Sequence, residues 1–257
     1  MDLGLQGKVA IVTGASRGIG RAIAEGLSRE GARLVLAARS ADLLLEVATA
    51  CPAEALPFAA DLRSEAAPRA LIAFAREKFG GIDLLVNNAG AARRGDFLEL
   101  PDADWEDGFA LKFYAAMRCS RAAWPHLARS GGGIVNIIGV GGRTGNAEFA
   151  IGGAVNAALL NLTKVLADRG VADGVRVNAI NPGSIETDRL ALRIAGYADR
   201  NGLPLAAAAS ALAREQGIGR FGKPAEIAAA VAFLASAKAG FCQGAILDID
   251  GGQTRTL

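Results

Sequence analysis

Short apolar runs alternate along the chain with longer stretches in which apolar and polar residues recur at helical spacing. Near-continuous apolar runs at Val9–Thr13 and at residues 34–38, 82–86, 134–138, 175–180 and 245–249, with a weaker one at 56–60, predict seven strands. Strands that are apolar at nearly every position are buried on both faces, which is the condition of a parallel sheet covered by helical crossovers. Helix-length segments fill the gaps, at residues 18–29, 65–79, 104–127, 154–168 and 225–235. The pattern therefore predicts an α/β fold, a doubly wound parallel sheet of about seven strands flanked by helices. Residues 189–222 break the rhythm. Helix-forming alanines stand there beside Gly196, Gly202 and Pro204, so the segment reads as one or two short helices with hinges, either a lid over a site or a surface elaboration.

A length of 257 residues fits one large domain or two small ones, and the run of motifs described below, continuous from end to end, selects one. Apolar residues make up 51% of the chain and charged ones 21%, a globular composition that excludes a disordered chain. The net charge is +2 and basic residues are scattered, so neither a nucleic-acid footprint nor a polybasic membrane patch is expected, and a small organic molecule is the expected partner. Cys51, Cys119 and Cys242 are odd in number and far apart, and His126 is the sole histidine, which leaves neither a disulfide framework nor a metal site to build. No room for a secretory leader precedes the first strand, and no run of about 18 uninterrupted apolar residues occurs, so a cytoplasmic location without a membrane span is expected.

The chemistry is concentrated where predicted strands end. Gly14, Ser16, Arg17, Gly18, Ile19 and Gly20 lie in a glycine-rich turn that follows the first strand and opens the first helix. Such a turn lets backbone approach a pyrophosphate, whose charge meets the free N–H groups of the helix N-terminus. Asp61-Leu62 follows the third strand, Asn87-Asn88-Ala89-Gly90 the fourth, and Asn181-Pro182-Gly183 with Ile185 and Thr187 the sixth. All fall at carboxyl ends of strands, where an open α/β sheet binds its ligands. In spacing and order, through Gly219-Arg220-Phe221-Gly222-Lys223-Pro224-Ala225-Glu226-Ile227 to Asp250-Gly251-Gly252, the chain resembles the short-chain dehydrogenase/reductase family, and 3-oxoacyl-(acyl-carrier-protein)-reductase-like members in particular.

That resemblance implies a single Rossmann-type domain binding a nicotinamide dinucleotide, with Asp61 and Leu62 at the adenine, Asn88, Ala89 and Gly90 passing the ribose, and Pro182, Gly183, Ile185 and Thr187 at the nicotinamide. Asn87 would then brace the central sheet. It also implies an oxidoreductase acting on a carbonyl or alcohol, assembled as a homotetramer or homodimer. The end of the second strand separates NADP(H) from NAD(H). An NAD site carries an acidic residue there for the 2′-hydroxyl. Here the position is Ala38, followed by Arg39 and Ser40, and Arg17 approaches the same place. Two guanidiniums suit a 2′-phosphate in charge and geometry, so NADP(H) is expected over NAD(H); the other reading leaves both arginines as solvated surface residues.

The family uses an Asn, a Ser, a Tyr and a Lys for proton transfer. Matching through residues 134–137 and 158–160 puts Lys112, Gly139, Gly152 and Asn156 at those places, so none of the four is kept. A shifted register does not restore them, because Tyr114 and Tyr197 are the only tyrosines and neither has a lysine four residues on. Two readings follow. In one, a reductase uses a substitute acid, with Lys112 projecting into the vacated space and Glu148 or a water relaying the proton. In the other, the chain is a non-catalytic NADP(H) binder acting as sensor, scaffold or partner subunit, and Lys112 is a snorkelling structural residue. Gly152-Gly153 inside a helix costs about 1 kcal/mol per glycine relative to alanine, and calls for either close packing or room for a bulky ligand.

Overall fold

The computed structural model describes residues 2–255. The chain runs β1 (Val9–Thr13), α1 (Gly18–Arg29), β2 (Arg33–Ala38), α2 (Ala41–Ala50), β3 (Ala55–Ala59), α3 (Ala66–Phe79), β4 (Leu84–Asn87), α4 (Asp102–Gly108), a π-helical segment (Phe109–Tyr114), α5 (Ala115–Ser130), β5 (Gly133–Ile137), α6 (Ala150–Asp173), β6 (Arg176–Pro182), α7 (Asp188–Asn201), α8 (Leu205–Glu215), α9 (Pro224–Ala235) and β7 (Ile246–Ile249). The seven strands form one parallel sheet in the order β3-β2-β1-β4-β5-β6-β7. This is the single-domain Rossmann arrangement that the alternating pattern predicts, with strand ends displaced by one or two residues from the apolar runs.

Burial explains which runs were easiest to read. All residues of β1, β4 and β5 are buried, as central strands under helices on both faces must be. The edge strand β3 alternates partly buried and exposed positions, and holds Pro57, whose missing N–H an edge tolerates. Two apolar layers sandwich the sheet. One joins Val12, Ile23, Leu27, Leu36 and Val231, the other Ile11, Val35, Leu71, Leu85 and Leu127. On the first face α1 and α9 approach so closely that a Cβ on Gly26 would lie 3.1 Å from Ala228 Cβ.

The sheet order reverses between β1 and β4, and the chain on either side leaves in opposite directions, opening a crevice at the carboxyl ends of these strands. Buried polar groups fix its floor. Asn87 Nδ2 donates to Asn136 Oδ1 at 2.9 Å and to Ser120 Oγ at 3.1 Å, so Asn87 ties β4 to β5 and α5 as expected. Residues 189–222 form two helices, α7 and α8, on a small apolar cluster of their own built on Leu190, Leu212, Ile218 and Phe221. Gly202 and Pro204 separate them, whereas Gly196 lies within α7 and is no hinge.

One expectation needs correction. The span 104–127 is not one helix: six residues between α4 and α5 wind as a π-helix, and Lys112 is among them. A π turn inserts a residue into a helical repeat, which apolar periodicity does not register. The segment Ala147–Asp173 is long and apolar enough to cross a membrane by length and composition. In the fold it packs along β6 and buries Asn156 and Thr163, with Thr163 accepting from Asn136 Nδ2 at 2.9 Å.

Candidate active site

The crevice begins at the turn between β1 and α1. A Cβ on Gly20 would lie 2.1 Å from Gly14 O, and one on Gly14 would lie 2.9 Å from Ala89 Cα, so glycine is required for the turn to close on itself and on the strand beside it. Asn88 holds this contact, donating through Nδ2 to Thr13 O at 3.0 Å and Gly14 O at 3.2 Å, while the N–H groups of Asn88 and Ala89 reach Thr13 Oγ1. Helix α1 starts at Gly18 with no acidic residue in its first turn and no side-chain cap on its N–H groups, so its positive pole faces the crevice unneutralised. Ser16 and Ile19 are partly buried beside it.

Arg17, Arg39, Ser40, Asp61 and Leu62 follow the carboxyl ends of the neighbouring strands β1, β2 and β3. Arg17 and Arg39 are exposed, and among the described residues neither joins an ion pair. Leu62 is buried. Burial pushes the Asp61 carboxyl up, but hydrogen bonds from Arg63 and the charges of Arg63 and Arg39 outweigh it and hold the group below its ordinary range. Asp61, Arg63 and Arg39 are thus close to one another.

The other end is a cleft of about 350 Å³ whose walls include Ile19, Asn88, Gly90, Pro182, Gly183, Ile185 and Thr187. Thr187 comes close to the glycine turn, since a Cβ on Gly18 would meet its Cγ2 at 3.3 Å. Ile185 pairs with Gly222 in a parallel bridge that ties the segment after β6 to the chain beyond α8. Lys112, Gly139, Gly152 and Asn156 line the same cleft, so the structure brings the four matched positions together.

Lys112 does not snorkel. It is half-buried, its stem runs over Gly90, where a Cβ would lie 2.9 Å from Lys112 Cδ, and its ammonium donates to Ile138 O and, at 2.6 Å, to Asn156 Oδ1. Asn156 turns its Nδ2 toward Gly139 O at 3.4 Å. Loss of water, and secondarily the charge of Arg189, bring Lys112 from 10.5 to about 7. An ammonium has three N–H donors and two are engaged, which leaves one for a group in the cleft. Tyr114 turns the opposite way and is 43% exposed, and Tyr197 donates to Glu215 outside the cleft, so neither tyrosine takes part.

The two glycines at matched positions are occupied by structure rather than by free space. Gly139 has φ +129°, a conformation open to glycine alone, and its N–H reaches Asn181 Oδ1 at 3.3 Å. At Gly152 a Cβ would fall 2.0 Å from Phe149 Cζ. The Phe149 ring thus fills the volume over Gly152, which decides for close packing over room for a bulky ligand; Gly153 packs close to Gly141 O, at 3.2 Å from a built Cβ. Glu148, expected as a relay, is exposed and does not line the cleft, its backbone N–H being engaged by Asn146 Oδ1. Sequence reasoning missed Arg94, Arg193 and Ser184, which complete the walls with Arg189. They come from the β4–α4 connection and from the segment after β6, and no short motif joins them.

Comparison with known proteins agrees with this architecture. Residues 14–254 match the family described as enoyl-(acyl carrier protein) reductase. The chain is 38% identical over 251 residues to cis-4-hydroxycyclohexanecarboxylate dehydrogenase of Sinomonas cyclohexanicum, covering 96% of each chain. It is 35% identical over 251 residues to 3-oxoacyl-(acyl-carrier-protein) reductase of Vibrio cholerae, covering 97% of this chain and 98% of that one. Among solved structures, L-sorbose reductase of Gluconobacter frateurii in complex with NADPH and L-sorbose superposes with a TM-score of 0.95 at 35% identity, over 100% of both chains.

Proposed function

Because the chain belongs to the short-chain dehydrogenase/reductase family, we propose that it is an NADP(H)-dependent reductase of a small carbonyl compound in which Lys112 replaces the family's tyrosine as proton donor. One observation carries the reading: a half-buried lysine, brought to about 7, lines the cleft with two of its N–H groups engaged and one to spare. A group near neutrality exists in both protonation states under working conditions, which is what a general acid needs.

The crevice fits the cofactor. The glycine turn leaves no space for a Cβ and exposes the helix N-terminus to a pyrophosphate through Gly14, Ser16, Gly18, Ile19 and Gly20. Arg17 and Arg39, with Ser40, would receive a 2′-phosphate, and two exposed guanidiniums outside every ion pair among the described residues favour NADP(H) over NAD(H). Asp61 and Leu62 would bracket the adenine, Asn88, Ala89 and Gly90 the ribose, and Pro182, Gly183, Ile185 and Thr187 the nicotinamide. When bound, the nicotinamide supplies or accepts a hydride.

The remaining work falls to this chain's side chains. Lys112 directs its free N–H at the substrate carbonyl oxygen and passes it a proton as the alcohol forms, then regains one from solvent. Asn156 holds the ammonium through its Oδ1 and is itself held by Gly139 O. Lysine and asparagine thus exchange places relative to the family's order while meeting at the same point. Helices α7 and α8 act as the lid, a small molecule as the partner, and an oligomer, in this family a dimer or tetramer, as the assembly.

The test is NADPH consumption against a broad carbonyl panel, run beside Lys112→Ala. The reading expects turnover in the native protein that is lost in the variant while NADPH stays bound. Tight NADPH binding with no turnover of any carbonyl would instead favour a non-catalytic NADP(H) binder, a reading supported by the lack of a hydroxyl at Gly139 and Gly152.

A further inference from the structure

The cleft beyond Lys112 is lined by three guanidiniums, Arg94, Arg189 and Arg193, and by no aspartate or glutamate. Each rests on a neutral partner. Arg189 donates to Gly90 O, Arg193 approaches Ser184 Oγ at 3.4 Å, and Arg94 lies over the Phe149 ring, 4.6 Å from its centroid. Every ion pair among the described residues uses another cation. Loss of water depresses all three guanidiniums, and Arg94 adds its repulsion to Arg193; Glu148 opposes this on both Arg94 and Arg193, and Glu215 on Arg193, but both carboxylates stand outside the cleft walls.

Arg94 and Arg189 are exposed at the mouth of the cleft and Arg193 is half-buried, and like charges gathered at one cleft attract an anion. Among the described residues no carboxylate comes within ion-pair distance of the three: Glu148 and Glu215 act only at longer range. The nucleotide's phosphates would lie at the glycine turn and at Arg17 and Arg39, toward the other end of the crevice. Arg189 stands two residues past Thr187, which meets that turn, and so borders the nucleotide; Arg94 and Arg193 are left facing the substrate space.

Phe149 explains how Arg94 is held. Its ring nests between Gly141 and Gly152, where built Cβ atoms would fall 3.0 and 2.0 Å away, and its face carries the guanidinium. Glycine at position 152 therefore seats an aromatic platform for a cation.

The geometry points to a substrate that bears an anionic oxygen group, a carboxylate or a phosphate, gripped by Arg94 and Arg193 while its carbonyl faces Lys112. This rests on the proposed NADP(H)-dependent reduction and names the class of compound reduced. The test compares matched twins, linear and cyclic oxo-carboxylates against their methyl esters and oxo-phosphates against the parent oxo-alcohols, in kcat/KM with NADPH. Cyclohexanecarboxylate, inorganic phosphate and cyclohexanecarboxamide are titrated in parallel into the NADP⁺ complex. At least one anion is expected to exceed its neutral twin by about tenfold or more, and that preference to fall by about fivefold or more in Arg94→Gln or Arg193→Gln. The better twin pair, carboxylate or phosphate, identifies the group. NADPH binding and circular dichroism show that each variant is folded, and Arg193→Lys is expected to keep part of the preference. Neutral twins that bind and react as well as every anion, or a preference that survives both variants, overturn the inference. Failure of NADPH to bind the native protein removes the proposed function itself, whereas NADPH binding without anion preference removes this inference alone.

Discussion

The two ends of the crevice are built from different materials. At the glycine turn, backbone meets backbone: Gly14, Gly20, Asn88 and Ala89 close on one another with no space for a Cβ and no buried charge. At the cleft beyond Gly90, long side chains do the work, with a half-buried lysine, three arginines and an aromatic ring. A backbone-built site tolerates few alternatives, because any side chain larger than hydrogen collides. A side-chain-built site is re-equipped by moving a functional group from one helix to its neighbour. Lys112 and Asn156 illustrate this: they meet at 2.6 Å from opposite walls, so the bonded pair does not depend on which helix supplies the ammonium.

The largest expected effect lies at the side-chain end. Lys112→Met removes the proton donor and is expected to lower kcat/KM for carbonyl reduction by about 10²- to 10⁴-fold, with NADPH affinity changed by less than about threefold. The same variant reads out stability. The folded Lys112 loses its proton near 7 whereas the unfolded side chain does so near 10.5, so between these values the unfolded chain binds more protons. The contribution of Lys112 to stability therefore rises from pH 7 toward 10.5 and is constant below 7. Thermal unfolding of native protein against Lys112→Met across that range should show the native protein gaining on the variant; a constant gap would mean that the buried ammonium keeps its ordinary affinity for protons.

Next comes the backbone end. Gly20→Ala places a Cβ about where Gly14 O stands, and a displacement of the turn costing about 3 kcal/mol is expected to weaken NADPH binding by about 100-fold. Isothermal titration settles it, and unchanged affinity would show that the turn is not where the nucleotide binds. Arg39→Asp should act more mildly, reducing the NADPH preference over NADH by about tenfold or more through loss of one phosphate partner and gain of a repelling carboxylate. Equal dissociation constants for the two cofactors in the native protein would contradict the role given to Arg17 and Arg39. Smallest of all, Tyr114→Phe should leave turnover within about twofold, since its ring faces away from the cleft; a large loss would return the proton donor to tyrosine.

The strands and the glycine turn were legible in the sequence because both are short-range signals. Full burial on both faces leaves β1, β4 and β5 apolar except at Thr13, Asn87 and Asn136, and the turn's steric demand writes its glycines at fixed offsets. The exchange at Lys112 and Asn156 was legible as positions but not as a contact, since the π-helical winding that directs Lys112 leaves no trace in apolar spacing. Gly152 illustrates the opposite limit. A glycine in a helix signals that something stands close by, and only the fold shows that it is the ring of Phe149, three residues earlier. Arg94, Arg189 and Arg193 were invisible as a group because about a hundred residues of chain lie between the first and the others, and nothing local marks an arginine that has no carboxylate partner.

Hydride transfer from NADPH in a single turnover, followed as a function of pH with a carbonyl substrate identified by the panel, tests the role of Lys112 most directly. The account expects the rate of reduction to fall as pH rises through about 7, where Lys112 loses its proton, and the slower Lys112→Met variant to show no such inflection. A native profile that is flat from pH 6 to 9, or the same inflection persisting in the variant, would contradict it.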